Sequence, residues 1–88
     1  MVIWKYPLDR MEDQDLLMPV GAEILCVQEQ DDKVVMWVKV DPDAKKRFRH
    51  VKIVGTGEPF ERIGIFQNNY IGTIQQGMNV WHVFELLI

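Results

Sequence analysis

Apolar and polar residues alternate along this chain in short runs, and turn-forming residues interrupt the runs at close intervals. Alternation with a period of two is the pattern of a β-strand that buries one face. The clearest run is Asn79-Val80-Trp81-His82-Val83-Phe84-Glu85-Leu86, rich in β-branched and aromatic residues and free of Pro and Gly. Tyr70 to Gln75 precedes it. Gln76-Gly77-Met78 lies between as a tight hairpin loop, where Gly77 can take the positive φ that such loops need. The last strand is expected to sit centrally, with the others packed around it.

The rest of the chain divides in the same way. Val2 to Tyr6 reads as a strand with Val2, Trp4 and Tyr6 on one face, and Pro7 ends it or places it at an edge. Residues 9–15 are acidic and polar and read as an exposed loop. Leu16 to Pro19 is a short extended segment, and Val20-Gly21 a turn. Ala22 to Gln30 fits a helix or a strand, but a hairpin with Val34 to Val40 around Asp31-Asp32-Lys33 is the more economical reading. The unbroken run Ile24-Leu25-Cys26-Val27 predicts that this hairpin is covered on both faces. Asp41-Pro42-Asp43-Ala44 is a turn in which the Asp41 side chain can accept from the backbone. Lys46 to Val54 is a strand with Phe48, His50, Lys52 and Val54 on one face and Arg47, Arg49, Val51 and Ile53 on the other. Gly55 to Pro59 is a loop, Phe60 to Phe66 is irregular, and Asn68-Asn69 is a turn. The pattern predicts an all-β domain over residues 1–88: about six mainly antiparallel strands, joined by sequential hairpins, in a small sandwich or a strongly bent sheet, with room for one short helical turn.

Composition narrows this further. A chain of 88 residues is one small domain, stable with little to spare, so a homo-oligomer is expected. Its 48% of hydrophobic residues suffice for one core and argue against disorder. No apolar run is long enough to cross a bilayer as a helix, and the start lacks the pattern of a signal peptide. Cys26 is the only cysteine, so an internal disulfide is excluded and a cytoplasmic setting is expected. The net charge of −3 is unevenly spread. Residues 1–44 hold 4 Lys/Arg against 10 Asp/Glu, and residues 45–88 hold 6 against 3. Overall acidity argues against a general nucleic-acid binder, while the uneven spread allows one basic patch.

That patch is the first candidate for chemistry. Lys45, Lys46, Arg47, Arg49 and Lys52 are five of the ten Lys/Arg, packed into eight residues. They suit phosphates or an acidic protein surface. The plainer expectation is an edge strand charged against edge-to-edge pairing. Gly55-Thr56-Gly57 follows directly and could offer N–H groups and the Thr56 hydroxyl to an anion, although it matches no nucleotide-binding fingerprint. Asn69 and Tyr70 suit the rim of a stacking pocket. His82, between Val80 and Phe84 on its face, reads as a satisfied, partly buried histidine beside such a site. The candidate ligand-binding set is therefore Arg47, Arg49, Lys52, Thr56, Gly57, Asn69, Tyr70 and His82. No serine is present, neither Thr56 nor Thr73 has a local base, and two histidines without cysteines make a poor zinc set. Neither catalysis nor a cofactor or metal is expected.

Several segments together resemble a family of small phage and prophage proteins catalogued as a domain of unknown function. They are Ile3-Trp4-Lys5-Tyr6-Pro7-Leu8, Met18-Pro19, Gly21 to Leu25, Val27-Gln28, Trp37, Val40-Asp41-Pro42, Gly55-Thr56-Gly57, Tyr70-Ile71-Gly72-Thr73 and Trp81-His82-Val83-Phe84-Glu85. The resemblance spans nearly the whole chain and is most specific at the closing Trp81 to Glu85. Extra residues stand around Ile63 to Gln67. The resemblance implies a viral origin and a bacterial cytoplasm, and it brings no catalytic residues. The resulting expectation is a non-enzymatic phage accessory protein that works by binding, either sequestering a nucleotide-type signal or blocking a host protein of a defence pathway. The alternative is a structural or assembly component of a virion, oligomeric through its strand edges.

Overall fold

Seven antiparallel strands carry most of the described residues, which in the computed structural model are 1–10, 13–59 and 67–87. They are β1 (Val2–Leu8), β2 (Gln14–Pro19), β3 (Glu23–Gln30), β4 (Lys33–Val40), β5 (Lys46–Gly55), β6 (Asn68–Gln76) and β7 (Asn79–Leu86). They form two sheets, ordered β1-β4-β3 and β2-β5-β7-β6. Residues of both sheets meet in one core, so the all-β sandwich expected from the pattern is what the chain adopts. Residues 60–66, expected to be irregular, lie outside the described residues.

The core follows from alternation. Val34, Met36, Val38 and Val40 of β4 all point inward and are buried. Opposite them lie Met18 of β2, Val51 and Ile53 of β5, Ile74 of β6 and Val83 of β7. Trp4 and Tyr6 close the core on the β1 side, and Leu8 is buried with them. Val2 ↔ Val40 and Leu8 ↔ Val34 bound the β1–β4 register.

Three expectations are corrected. Sequential hairpins join only β3 to β4 and β6 to β7; the β1–β4, β2–β5 and β5–β7 pairings are all made between strands distant in sequence. The basic strand β5 is an edge over only part of its length: β2 pairs with Lys46 to Val51 and β7 with His50 to Gly55. Charge against edge pairing therefore does not explain Lys52, which lies where β7 covers the strand. The β3–β4 hairpin is not central as a whole, since β4 is the middle strand and β3 an edge. The unbroken run Ile24 to Val27 has another cause. The register shifts between Ile24 and Cys26, a bulge that lets Ile24 and Val27 both reach the core while Leu25 stays exposed. Two smaller segments also differ: Gln14 and Asp15 open β2, and Asn68-Asn69 opens β6.

The turns behave as their residues demand. Asp31 and Asp32 both have positive φ, 50° and 66°, the geometry of a two-residue hairpin loop that follows the twist of its strands. Gly77, at φ 60°, opens the two-residue loop of the β6–β7 hairpin. Asp43 N–H donates to Asp41 Oδ1 at 3.1 Å, and Ala44 N–H to the Asp41 carbonyl at 3.1 Å. β7 lies inside its sheet, as its composition suggested, while β4 centres the other sheet.

A second bulge, between Tyr70 and Gly72 of β6, stands across from the first and brings Ile71 and Ile74 to the core. Here the two sheets come closest. A Cβ built on Gly72 would lie 2.7 Å from Val27 Cγ1. We expect Gly72→Ala to cost about 1–3 kcal/mol of stability by overpacking this contact, read from the midpoint of a denaturant titration. Adding Val27→Ala should recover part of that loss.

Candidate functional site

Alternation along β5 sends its basic residues to two different places. Arg49 points inward. Its Nε and Nη2 donate to Glu85 Oε2 and Oε1 at 2.6 and 2.9 Å, and Nη1 donates to the carbonyl of Ala22, in the turn that opens β3 of the other sheet. The side chains of Arg49 and Glu85 are only 13% and 8% exposed. The hydrogen bond to Glu85 raises the Arg49 pKa against the opposing effect of burial. Burial also pushes the nearby Tyr6 phenol above its ordinary value, with the Arg49 charge pulling it back, and its hydroxyl donates to the Leu17 carbonyl at 3.0 Å. At the opposite end of the β6–β7 hairpin the buried Gln76 amide plays a similar part. Its Nε2 donates to the Asp32 carbonyl at 2.7 Å, and its Oε1 accepts from Trp81 Nε1 at 3.2 Å and from the Arg10 guanidinium. Among the described residues no buried side-chain polar atom lacks a partner.

The outer face of the four-stranded sheet carries Phe48, His50, Lys52 and Val54 from β5. The register aligns Lys52 with Phe84 and Tyr70 in one row across β5, β7 and β6, and Val54 with His82 and Thr73 in the next. Lys52 Nζ forms an ion pair with Asp13 Oδ1 at 2.6 Å, and His50 Nδ1 hydrogen-bonds Asp15 Oδ1 at 2.6 Å, so the start of β2 is held to β5 by side chains as well as by the ladder. Tyr70 and Phe84 stack at a tilt, with centroids 5.5 Å apart. Val54 and Leu86 are buried beside Phe84 in a second, smaller apolar cluster.

His82 is bonded at both ring nitrogens. Nε2 lies 2.7 Å from Thr56 Oγ1 and Nδ1 lies 2.9 Å from Thr73 Oγ1, which in turn lies 2.5 Å from the Tyr70 hydroxyl. A neutral imidazole donates from one nitrogen and accepts at the other. The chain Thr56–His82–Thr73–Tyr70 can therefore be polarised in either direction, and each direction leaves one terminal hydroxyl with its O–H free to turn outward. The Thr56 N–H donates to the Val80 carbonyl at 3.2 Å, which fixes the start of this loop on β7.

The eight residues singled out from the sequence do not form one site. Thr56, Tyr70 and His82 are joined by hydrogen bonds, with Lys52 one row away. Gly57, at φ 89°, turns the loop after Thr56, and a Cβ there would meet nothing within 4 Å. Arg49, Asn69 and Tyr70 border an open groove of ≈ 430 Å³ between β3 and β6. Arg47 is exposed at the far end of β5 and makes no ion pair among the described residues. Sequence reasoning missed two residues. Thr73 faces His82 because Gln76 pairs with Asn79 across a two-residue loop, and counting back three positions on each strand finds the pair. Phe48 is an aromatic among cations on the solvent side of its strand, and it is 68% exposed.

Fold and site together define a small two-sheet β-sandwich with an aromatic, hydroxyl-bearing and partly basic outer face on its larger sheet. The chain belongs to the family described as Domain of unknown function (DUF7352), whose model matches residues 1–87. No curated protein and no solved structure matches it.

Removing one member of a buried ion pair strands the charge of the other. Arg49→Met should lower stability by about 3–5 kcal/mol in denaturant unfolding. The double change Arg49→Met/Glu85→Leu should cost clearly less than the sum of the single changes. Strict additivity would show that the pair carries no coupling.

Proposed function

We propose that this chain is a phage-encoded accessory protein that works by binding in the bacterial cytoplasm, without catalysis. It blocks a host protein of a defence pathway through the outer face of its four-stranded sheet. The observation that supports this is the display of two large aromatics on that face, Phe48 at 68% and Tyr70 at 60% exposure. A small domain gains stability by burying its aromatics, and rings left in water on rigid strands are what a partner surface covers as anchors. Arg47, which lines a groove with Phe48 and makes no ion pair among the described residues, and the polar chain of Thr56, His82, Thr73 and Tyr70 at the other end supply the charged and hydrogen-bonding rim that such an interface needs.

The test is affinity capture from host lysate with the unaltered protein, Phe48→Ala, Tyr70→Ala and a control on the opposite sheet, Lys5→Ala. A host protein retained by the unaltered chain and by the control, but lost from either aromatic variant with unchanged melting, supports the reading. Equal retention by all four moves the contact off this face.

A second reading has its own support. Tyr70 stacked on Phe84, next to the hydroxyl–imidazole chain and one row from Lys52, offers a ring, hydrogen bonds and a cation to a nucleotide-type signal. On this reading, native mass spectrometry of the protein purified from infected cells releases a small molecule on denaturation, and His82→Phe no longer carries it. A protein that releases nothing, and is unchanged in mass when mixed with cellular nucleotides, speaks against sequestration.

A further inference from the structure

The pairing of β5 is lopsided. With β2 it runs from Val51 to Lys46, but with β7 it stops at His50 ↔ Leu86. On its other side β7 stays paired one residue further: Leu87 N–H donates at 2.8 Å to the Gln67 carbonyl, continuing the β6–β7 ladder. Among the described residues, Lys46 to Arg49 therefore have a strand partner on one side only. A groove of ≈ 340 Å³ opens on the unpaired side, lined in part by Arg47, Phe48, His50, Leu86 and Leu87.

We propose that this half-paired stretch of β5 docks an extended, acidic segment of a partner protein, which continues the sheet where β7 leaves off. Three observations carry the inference, which rests on the reading that this sheet works by binding. The first is the open strand edge, since an extended peptide gains affinity by completing a ladder and specificity from every second side chain. The second is the apolar floor. Phe48 and Leu87 both line the groove and both are exposed. Side chains of the docked strand would cover them. The third is charge. Asp15 and Glu85 also line the groove; Arg49 matches the charge of Glu85, and Asp15 is hydrogen-bonded to His50. The exposed Lys45 and Arg47 make no ion pair among the described residues, and Lys46 lies over the Trp4 ring, 5.7 Å from its centroid. Lys45, Lys46 and Arg47 at the unpaired stretch outnumber Asp15, the groove carboxylate without a cation, so the local charge is positive on a chain whose net charge is −3. A second copy related by a two-fold axis would bring these three cations against their own counterparts, which disfavours self-association through the groove. The chain's overall acidity likewise disfavours nucleic acid.

The experiment is a fluorescence-anisotropy titration of the full chain with a short labelled peptide alternating Glu and Val. Controls are the matching Lys/Val peptide, the Glu/Val peptide N-methylated at alternate residues, and an oligothymidylate. The acidic peptide should saturate and bind at least about tenfold more tightly than the basic one, because charge complementarity and ladder formation both favour it. N-methylation on the pairing side should abolish binding. Phe48→Ala and Arg47→Glu should each weaken it with unchanged melting, since both residues are exposed. Equal affinity for the acidic and basic peptides, indifference to N-methylation, tighter binding of the oligothymidylate, or no saturation at millimolar peptide each overturns the proposal. So does a dimer in light scattering that Arg47→Glu dissolves, because the groove would then belong to a second copy. Host-protein capture that depends on Tyr70, with no peptide binding at β5, would leave the broader reading standing and remove only this groove. Peptide binding without any capture by the sheet would do the reverse.

Discussion

A largely buried guanidinium, one of several side chains that bond across, ties the two layers of this sandwich together. Arg49 grips the Glu85 carboxylate within its own sheet and reaches the Ala22 carbonyl at the start of β3 in the other. Almost everything else in the interior is apolar and non-directional, and such contacts fix how much is buried better than which strand lies over which. The charged bond is directional. With the Gln76 amide at the opposite end of the hairpin, it sets the alignment of β5, β7 and β3. In a domain this small, with only a few kcal/mol of net stability, that alignment depends heavily on one pair.

The same bond decides which of the basic residues remain available. The sequence clusters its cations in one strand, and alternation then separates them. Arg49 is consumed inside, and Lys52 and His50 hold β2 through Asp13 and Asp15. Lys45 and Arg47 make no ion pair among the described residues, at the end where β7 no longer pairs with the strand. Electrostatics thus serves assembly over the central residues of this strand, while the cations at its start stand outside these pairs. The aromatics divide in a similar way. Trp4, Tyr6 and Trp81 pack against the core, while Phe48 and Tyr70 stand in water.

Much of the fold was legible in the chain because period-two patterning and turn chemistry are local. The strands from Val2, Val34, Lys46 and Asn79, the Asp31-Asp32 and Gly77 turns, and the two-sided character of β5 all follow from residues within a few positions of one another. The bulges were not legible in the same way. A run such as Ile24 to Val27 looks like a strand buried on both faces until the register shift shows that one residue has been squeezed out. The candidate site was legible in its membership but not in its grouping. Thr56 and His82 were both singled out, yet they are 26 positions apart, and only the β5–β7 pairing brings them within 2.7 Å.

The sequence by itself determined the all-β class, most strand positions and which residues of each strand share a face. These depend on backbone preferences and on alternation, which act over a few residues. Only the tertiary structure decided that β5 is covered by β7 over its second half alone, that Arg49 is structural while Arg47 makes no ion pair among the described residues, and that His82 bridges two threonines. Each of these depends on which distant strands pair and where the pairing stops. That choice is made by the packing of the whole core, because no local pattern encodes the partner of a strand.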